Sequence, residues 1–574
     1  MRLFVLTGVV FLFTTFSGFS QILPKGMTEK EKAMMSSYVF PKGKGITSPP
    51  TWQPRAMGEW EEIDALLITW TSYHSVLAQI VDAAQEECTV LIACSDSNSV
   101  KSSLSGYGVP LTNLDFIEVP YNSVWIRDYG AHTIYKNEVD SHALVDWTYN
   151  RPRPYDDAMP ALHASWAGLD MYEMTTAPWD FVATGGNLMV DGFGTAMSSQ
   201  LIVNENPSHS IAEIDTIMKR FLGIDTYVLF PTLPYDGIHH IDMHMKFLDE
   251  ETILLGEYPS GISDGPQIEA NLAWMQSNYM SMYGTPYRII RIPMLPNLSG
   301  TMWPSNGAYY RTYTNGVFVN NTYIYPSYYE KYDTTAYRIY QEVLPGYNLV
   351  PIDCDPDPIS ASGAIHCITN CIGISNPLLI SHQRLNDQTT PGNYQVDAYI
   401  THSSCISSAT IYYKTTMAGS YQSVTMSNTG GNDWTGYIPQ QSSGDSVYYY
   451  IHAQAVSGKQ QTRPMPAPDG YWAFRVNYSA GIADEIIPAT MMDVYPNPAA
   501  YLTCIPVQSS SDFTGSLQLL DASGRLVQVL YEGKFPAGES NYFFNALGLE
   551  SGLYLIMLQT EEDVQVQKVV VRNF

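Results

Sequence analysis

A single change of rhythm constrains this chain more than any other feature. From about residue 52 to 373 short apolar runs alternate with amphipathic segments, and beyond about residue 376 the helical pattern stops. Residues 65–70 (ALLITW) read as a buried strand, residues 75–86 as a helix with Leu77, Ile80, Val81 and Ala84 on one face, and residues 88–94 and 115–120 as returning strands. The rhythm recurs in an amphipathic helix at 211–222 (IAEIDTIMKRFL) with a strand at 226–230, and in a third helix at 334–343. Residues 317–325 (VFVNNTYIY) read as a hairpin, with Asn320-Asn321 suited to a type I′ turn. Hairpins and helices repeating in this way predict an α/β domain of propeller type. Further on, residues 394–399, 409–414 and 446–453 alternate as strands between Gly, Ser and Pro turns, the pattern of an Ig-like antiparallel β-sandwich. A Ser/Gly/Ala link at about 479–485 leads to a last, small all-β unit. At 574 residues the chain exceeds what one core supports and is expected to hold roughly two to four units.

The N-terminus reads as a signal peptide over residues 1–20. Arg2 supplies the positive start, residues 3–16 the apolar stretch, and Gly18-Phe19-Ser20 a cleavage site before Gln21. That stretch is too short for a membrane span, and the sequence offers no other candidate, so the chain is predicted to be exported. Residues 21–51 read as a loose leader. The net charge of −27, with no long Lys/Arg run, argues against nucleic acid as a partner. An acidic surface keeps an exported protein soluble and mildly attracts cations. Seven cysteines are an odd number in a long chain, so they form no disulfide scaffold and at least one thiol is unpaired within the monomer.

Four positions carry chemistry in prospect. Cys367, in GAIHCITNC with Gly363 close by, is a nucleophile, a disulfide partner of Cys371 or Cys354, or an inert buried thiol. His240 and Asp242 lie in DGIHHIDMHMKF; on a strand, His240, Asp242 and His244 would share one face, as an acid/base pair or as metal ligands. Asp128, in VWIRDYG, is a carboxylate set close to the aromatic Trp125, or half of a surface pair with Arg127. Arg151 and Arg153, in YNRPRPYDD, form a carboxylate fork or a solvated loop. Asp353, Asp355 and Asp357 hint at calcium but lack the glycine and glutamate of an EF-hand loop. A thiol, a histidine and two carboxylates together suit hydrolysis of a guanidinium. The carboxylates grip its nitrogens, the thiolate attacks its carbon, and the histidine moves the protons, with no metal or organic cofactor needed.

Five ordered motifs carry a resemblance: Trp125 to Asp128 (WIRD), TGGNLMVDGFG at 184–194, His240 to Asp242 (HID), Tyr313 to Asn315 (YTN) and His366-Cys367. Residues 52–375 resemble the Porphyromonas-type peptidylarginine deiminases and the related agmatine deiminases. The resemblance implies a five-bladed α/β-propeller (pentein) domain. It implies Cys367 as nucleophile, His240 as general acid/base, Asp128 and Asp242 holding the guanidinium, Asn315 positioning the catalytic groups, and Trp125 packing on substrate. It implies no cofactor and no metal, which sets His244 aside. Residues 486–574 resemble type IX secretion sorting domains through Tyr495-Pro496-Asn497-Pro498, the turn at 521–525 and Ser551 to Tyr554. This implies handling by that secretion machinery and a secreted or surface location. The Ig-like unit is expected over 376–480.

Peptidyl-arginine, expected at a peptide C-terminus, is the substrate implied by the exported layout, by YNRPRP, and by Thr184 where agmatine enzymes carry glutamate. Arg151 and Arg153 would then bind the terminal carboxylate, which agmatine lacks. The alternatives are agmatine or free arginine handled by the same residues, an amidino transferase, and a non-catalytic surface binding protein on a retired scaffold.

Overall fold

The computed structural model describes residues 23–41, 43, 45–478, 489–560 and 563–572. The signal peptide expected at 1–20 and the link at 479–485 lie outside the described residues.

Residues 54–373 build five units of one kind, each with a central strand that pairs antiparallel with one neighbour and parallel with another across a helix. In the first, Ile63–Thr69 runs parallel to Thr89–Cys94 across the helix His74–Ala84, and Leu114–Glu118 adds a further parallel strand. The second pairs His132–Lys136, His142–Tyr149 and Met171–Met174. The third pairs Met189–Val190, Thr195–Ser199 and Thr226–Phe230, the last two bridged by the helix Ile211–Leu222. The fourth pairs Met245–Phe247, Thr252–Glu257 and Arg288–Pro293 across Gly265–Asn278. The fifth pairs Val317–Val319, Thr322–Ser327 and Asn348–Asp353 across Glu330–Val343. A parallel pair needs such a crossover, and this need produces the repeated helix. The antiparallel partner of Ile63–Thr69 is Asn370–Gly373, so the end of this region completes the sheet with which it began.

Local chemistry accounts for the elements. Ser210 caps Ile211–Leu222 in a reciprocal capping box with Glu213, and Gly223 ends the helix at φ 72°. The helix buries Ile214, Ile217, Met218, Phe221 and Leu222 on one face. In the expected hairpin at 317–325 only Asn320 has positive φ (51°), so the turn is not the type I′ expected, which needs both central residues there.

Beyond residue 376 the described elements are all strands. Two antiparallel sheets, one running from Leu379–Ser381 to Ser427–Gly430 and one built around Ile406–Lys414 and Ser446–Ala455, enclose a core that includes Val396, Ile411, Tyr449 and Phe474. Two further sheets over 489–571 enclose another, with Ile505, Leu519, Tyr542 and Ile556. The chain is thus mixed α/β followed by an all-β C-terminal region. Among the described residues no helix is long and apolar enough to cross a membrane.

The leader is not loose. Glu29–Met35 is a helix with Thr28 and Glu31 in a capping box, and Ile46 bridges to Tyr172 at a sheet edge. A short polar segment reads as disordered because its own residues bury little; here a groove built by residues far along the chain orders it.

Candidate active site

The entry turns of the five units meet at one place. Asp128 lies in the short helix Ile126–Tyr129 ahead of the second unit, and the turn Gly185–Asn187 precedes the third. His240 and Asp242 stand at the turn Ile241–Met243 ahead of the fourth. Asn315 stands two residues ahead of the fifth, and Cys367 lies in the turn His366–Ile368 ahead of the closing strand. Cys367, His240, Asp128, Asp242, Asn315 and Trp125 are brought together and buried. Cys367 Sγ lies 3.2 Å from Asn315 Oδ1 and 3.5 Å from Asp242 Oδ2, and His240 Nδ1 lies 3.5 Å from Asp128 Oδ1. Asn315 Oδ1 also accepts from the Ala364 amide at 3.1 Å, and its Nδ2 donates to the Asp242 carbonyl at 3.3 Å. These bonds tie three entry turns into one frame.

The glycines of the motifs are steric necessities. A Cβ on Gly186 would lie 2.6 Å from His240 Nδ1 and 2.8 Å from Asp128 Oδ1, and one on Gly185 would lie 2.2 Å from the Arg127 carbonyl oxygen. A Cβ on Gly363 would lie 2.5 Å from the Trp125 ring and 3.2 Å from Cys367 Sγ. Only a residue without a side chain allows so close an approach.

Two expectations are corrected. The segment at His240 is a 3₁₀ turn rather than a strand, so His240, Asp242 and His244 do not alternate onto one face; among the described residues no three such groups form a metal-holding cluster. Arg127 does not pair with Asp128 at the surface: it is buried, and its Nη1 lies 2.8 Å from Glu59 Oε1. All seven cysteines are free.

The pocket is filled by the chain's own leader. Lys25 is fully buried, and its Nζ donates to Cys367 Sγ at 2.8 Å and lies 3.9 Å from Asp128 Oδ1 and 3.7 Å from Asp242 Oδ1. The backbone on either side is held by donors. Trp125 Nε1 donates to the Leu23 carbonyl at 2.9 Å, and Arg151 Nε to that of Lys25 at 3.3 Å. Arg153 Nη2 donates to the Pro24 carbonyl at 2.8 Å and the Gly26 carbonyl at 3.1 Å. Arg151 and Arg153 are therefore buried rather than on a solvated loop, and the carboxylate that Arg153 meets here is Glu31, at 2.7 Å from Nε.

Charge is unevenly distributed. Burial pushes the Cys367 thiol up to about 12, helped by Asp242 and opposed by Lys25. Burial, with Lys25 alongside, holds His240 well below the usual histidine range and hence neutral. Burial raises Asp128. It would also raise Asp242, but Lys25 and His366 override it and hold that carboxyl well below the usual range. The two carboxylates are thus inequivalent although both face one cation.

Glu59 escaped the sequence reading, and His366 was named there in a motif but given no role. His366 hydrogen-bonds Asp242 Oδ2 through Nδ1 at 2.8 Å and Glu59 Oε1 through Nε2 at 2.7 Å. Lys246 Nζ lies 2.6 Å from Glu59 Oε2. Burial would raise Glu59, but His366, Lys246 and Arg127 hold it well below the usual range. The motif around Cys367 already contained His366, whereas Glu59 sits in a run of acidic residues with no spacing to mark it.

The sequence signature of the Porphyromonas-type peptidyl-arginine deiminases matches residues 55–372, and that of the secretion system C-terminal sorting domains matches residues 493–572. The chain is 24% identical to an agmatine deiminase of Pseudomonas fluorescens over 378 residues, covering 58% of this chain and 98% of the relative. It is 22% identical to an agmatine deiminase of Medicago truncatula, again covering 58% and 98%. Among solved structures, an agmatine deiminase of Enterococcus faecalis superposes with a TM-score of 0.50 at 19% identity, over 57% of this chain and 99% of that one, a likeness of fold. With more than half its length matched and the five motifs converging on one buried pocket, the chain belongs to the Porphyromonas-type peptidyl-arginine deiminase family, hydrolases acting on C–N bonds, and carries a secretion system sorting domain at its C-terminus.

Proposed function

We propose that this protein hydrolyses the guanidinium of arginine in peptides or proteins, giving citrulline and ammonia. One observation carries the peptide reading: a polypeptide already crosses the pocket, with carbonyls on both sides of the buried cation taken by Trp125, Arg151 and Arg153. Agmatine has no backbone for these donors. A terminal carboxylate would find the same two arginines, in keeping with arginine at a peptide C-terminus.

In this reading Asp128 and Asp242 hold the guanidinium through its N–H groups and fix its plane. The bound cation favours ionisation of Cys367, because positive charge next to the sulfur lowers its pKa, as Lys25 does here. The thiolate attacks Cζ and forms a C–S bond. His240, neutral at rest, takes the proton that Cys367 sheds and delivers it to the departing ammonia, leaving a thiouronium on Cys367. His240 then takes a proton from water as the water attacks the same carbon, and the C–S bond breaks to release the ureido product. Asn315 aligns Cys367, and His366, fixed between Asp242 and Glu59, orients Asp242.

The five hairpin-and-helix units suit the blades of a closed propeller, supported by the pairing of the last strand with the first unit. The two sheets over 379–475 suit an Ig-like sandwich. With boundaries at 52–375, 376–480 and 486–574, the last unit would direct the chain through type IX secretion to the surface or the medium.

The test is product release by the full chain and its Lys25→Ala variant from agmatine, free arginine, and matched peptides ending in arginine or arginine amide, with Cys367→Ala as control. Ureido product from peptides supports the reading. Preference for agmatine, the substrate named for the relatives, would keep the chemistry and overturn the substrate. No product from any of them by folded protein would favour a binding role.

A further inference from the structure

We propose that residues 23–35 are an intramolecular pseudosubstrate, with Lys25 occupying the arginine pocket until the leader is displaced or cut away; the inference rests on the deiminase reading above. The argument begins with covalent structure. Lysine Nζ stands the same number of bonds from Cα as arginine Cζ. Lys25 Nζ, 2.8 Å from Cys367 Sγ, therefore marks the point where the carbon of a bound arginine would meet the nucleophile. Its separations of 3.9 and 3.7 Å from Asp128 and Asp242 are too long for hydrogen bonds. A carbon at the same point would carry its nitrogens about 1.3 Å nearer both carboxylates and close those gaps. The ammonium nevertheless supplies the charge that the two carboxylates need, and lysine is almost never fully buried without such partners. It offers no electrophilic carbon and no leaving amine of the required kind, so it fills the site without reacting.

The remainder of the leader is built to stay. Glu31 closes the capping box on Thr28 and also receives Arg153, so the helix Glu29–Met35 is locked to the groove. Further on, Ile46 exchanges two backbone hydrogen bonds with Met171 and Glu173, both at 2.8 Å. Between these anchors Ser36, Ser37, Val39, Pro41 and Gly43 are exposed, Val39 at 86%. A tethered ligand faces its site at an effective concentration of about millimolar. Free substrate must displace it, so its apparent KM rises by a factor of one plus that concentration divided by the leader's own dissociation constant. Hydrolysis of a peptide bond beside one of these exposed residues would end the tether and leave a leader fragment able to dissociate.

Three full-length variants test this. Lys25→Arg presents a guanidinium where the ammonium was, and is expected to convert residue 25 to citrulline in cis. Peptide mass spectrometry would read an NH replaced by O, at a rate independent of protein concentration, and absent when Cys367→Ala is added. Lys25→Glu, repelled by Asp128 and Asp242, and Glu31→Ala, which releases Arg153, are each expected to raise turnover of an added arginine peptide at least about tenfold over the native chain. Alkylation of Cys367 by iodoacetamide, scored on its own peptide, is expected to be faster in Lys25→Glu than in the native chain, and this arm needs no catalysis. A Lys25→Arg chain that is active on added peptides yet leaves its own residue 25 unmodified would overturn the substrate-like placement. Equal turnover and equal alkylation in native and Lys25→Glu chains would overturn the inhibition. Faster alkylation with no turnover of any guanidine would uphold the plug and refute the deiminase reading instead.

Discussion

Gly186→Ala isolates what the glycine pair does for catalysis. The residue is not at positive φ, so alanine meets no backbone penalty there and the effect is steric. Ordinary contact begins at 3.4 Å, so His240 Nδ1 must retreat by 3.4 − 2.6, or ~0.8 Å, and Asp128 Oδ1 by 3.4 − 2.8, or ~0.6 Å. Misplacing reacting groups by about 1 Å costs about 100-fold in rate, which corresponds to about 2.7 kcal/mol of transition-state stabilisation. Overpacking of a buried site costs about 1–3 kcal/mol of stability, so the protein should still fold. The assay is ammonia release from an arginine peptide in the native and Lys25→Ala backgrounds, with thermal melting alongside. Gly106→Ala, whose Cβ would meet nothing within 4 Å, is the control and should keep full activity. A folded Gly186→Ala protein within about threefold of its parent would refute the claim that this glycine sets the spacing of His240 and Asp128, since the displacement predicts about 100-fold.

Asp128→Asn and Asp242→Asn should each lower kcat/KM by about 100-fold or more, because a cation binding between them loses one buried charge partner. Steady-state kinetics on one arginine peptide checks both. Glu59→Gln leaves Arg127 and Lys246 without their carboxylate and should cost about 3–5 kcal/mol of stability, read by denaturant unfolding. Because the folded carboxyl of Glu59 is held below its unfolded value of 4.5, this stabilisation is fully present above that pH and is lost as pH falls through the folded value. The gap between native and Glu59→Gln chains should therefore hold from neutral pH down to about 4.5 and narrow only in stronger acid. Because Arg151 and Arg153 also hold the leader, their tests belong in the Lys25→Ala background; there Arg151→Ala should raise KM for arginine peptides and leave agmatine turnover unchanged. Arg153→Ala should raise KM for peptides ending in free arginine more than for their amides; equal losses would place no terminal carboxylate on Arg153.

Much of this protein is legible along the chain because the governing forces are local. Ile211–Leu222 could be read to its ends from a serine cap, a glutamate three residues on, a 3.6-residue apolar period and a terminal glycine. Strands such as Thr226–Phe230 follow from apolar runs bounded by turns. The motif residues Asp128, His240, Asp242, Asn315 and Cys367 could be picked out by type, because a thiol, an imidazole and carboxylates suit one reaction. What the sequence could not decide is which residues meet. Five entry turns spread over 126–368 converge only because five similar units come together and a strand at 370–373 returns to pair with one at 63–69. Glu59 reaches His366 across 307 positions, and Lys25 reaches Cys367 across 342. No local pattern encodes such contacts. Lys25 is ordinary in a polar leader and becomes the cation of a buried acidic pocket only when the fold has placed Asp128, Asp242 and Cys367 around it.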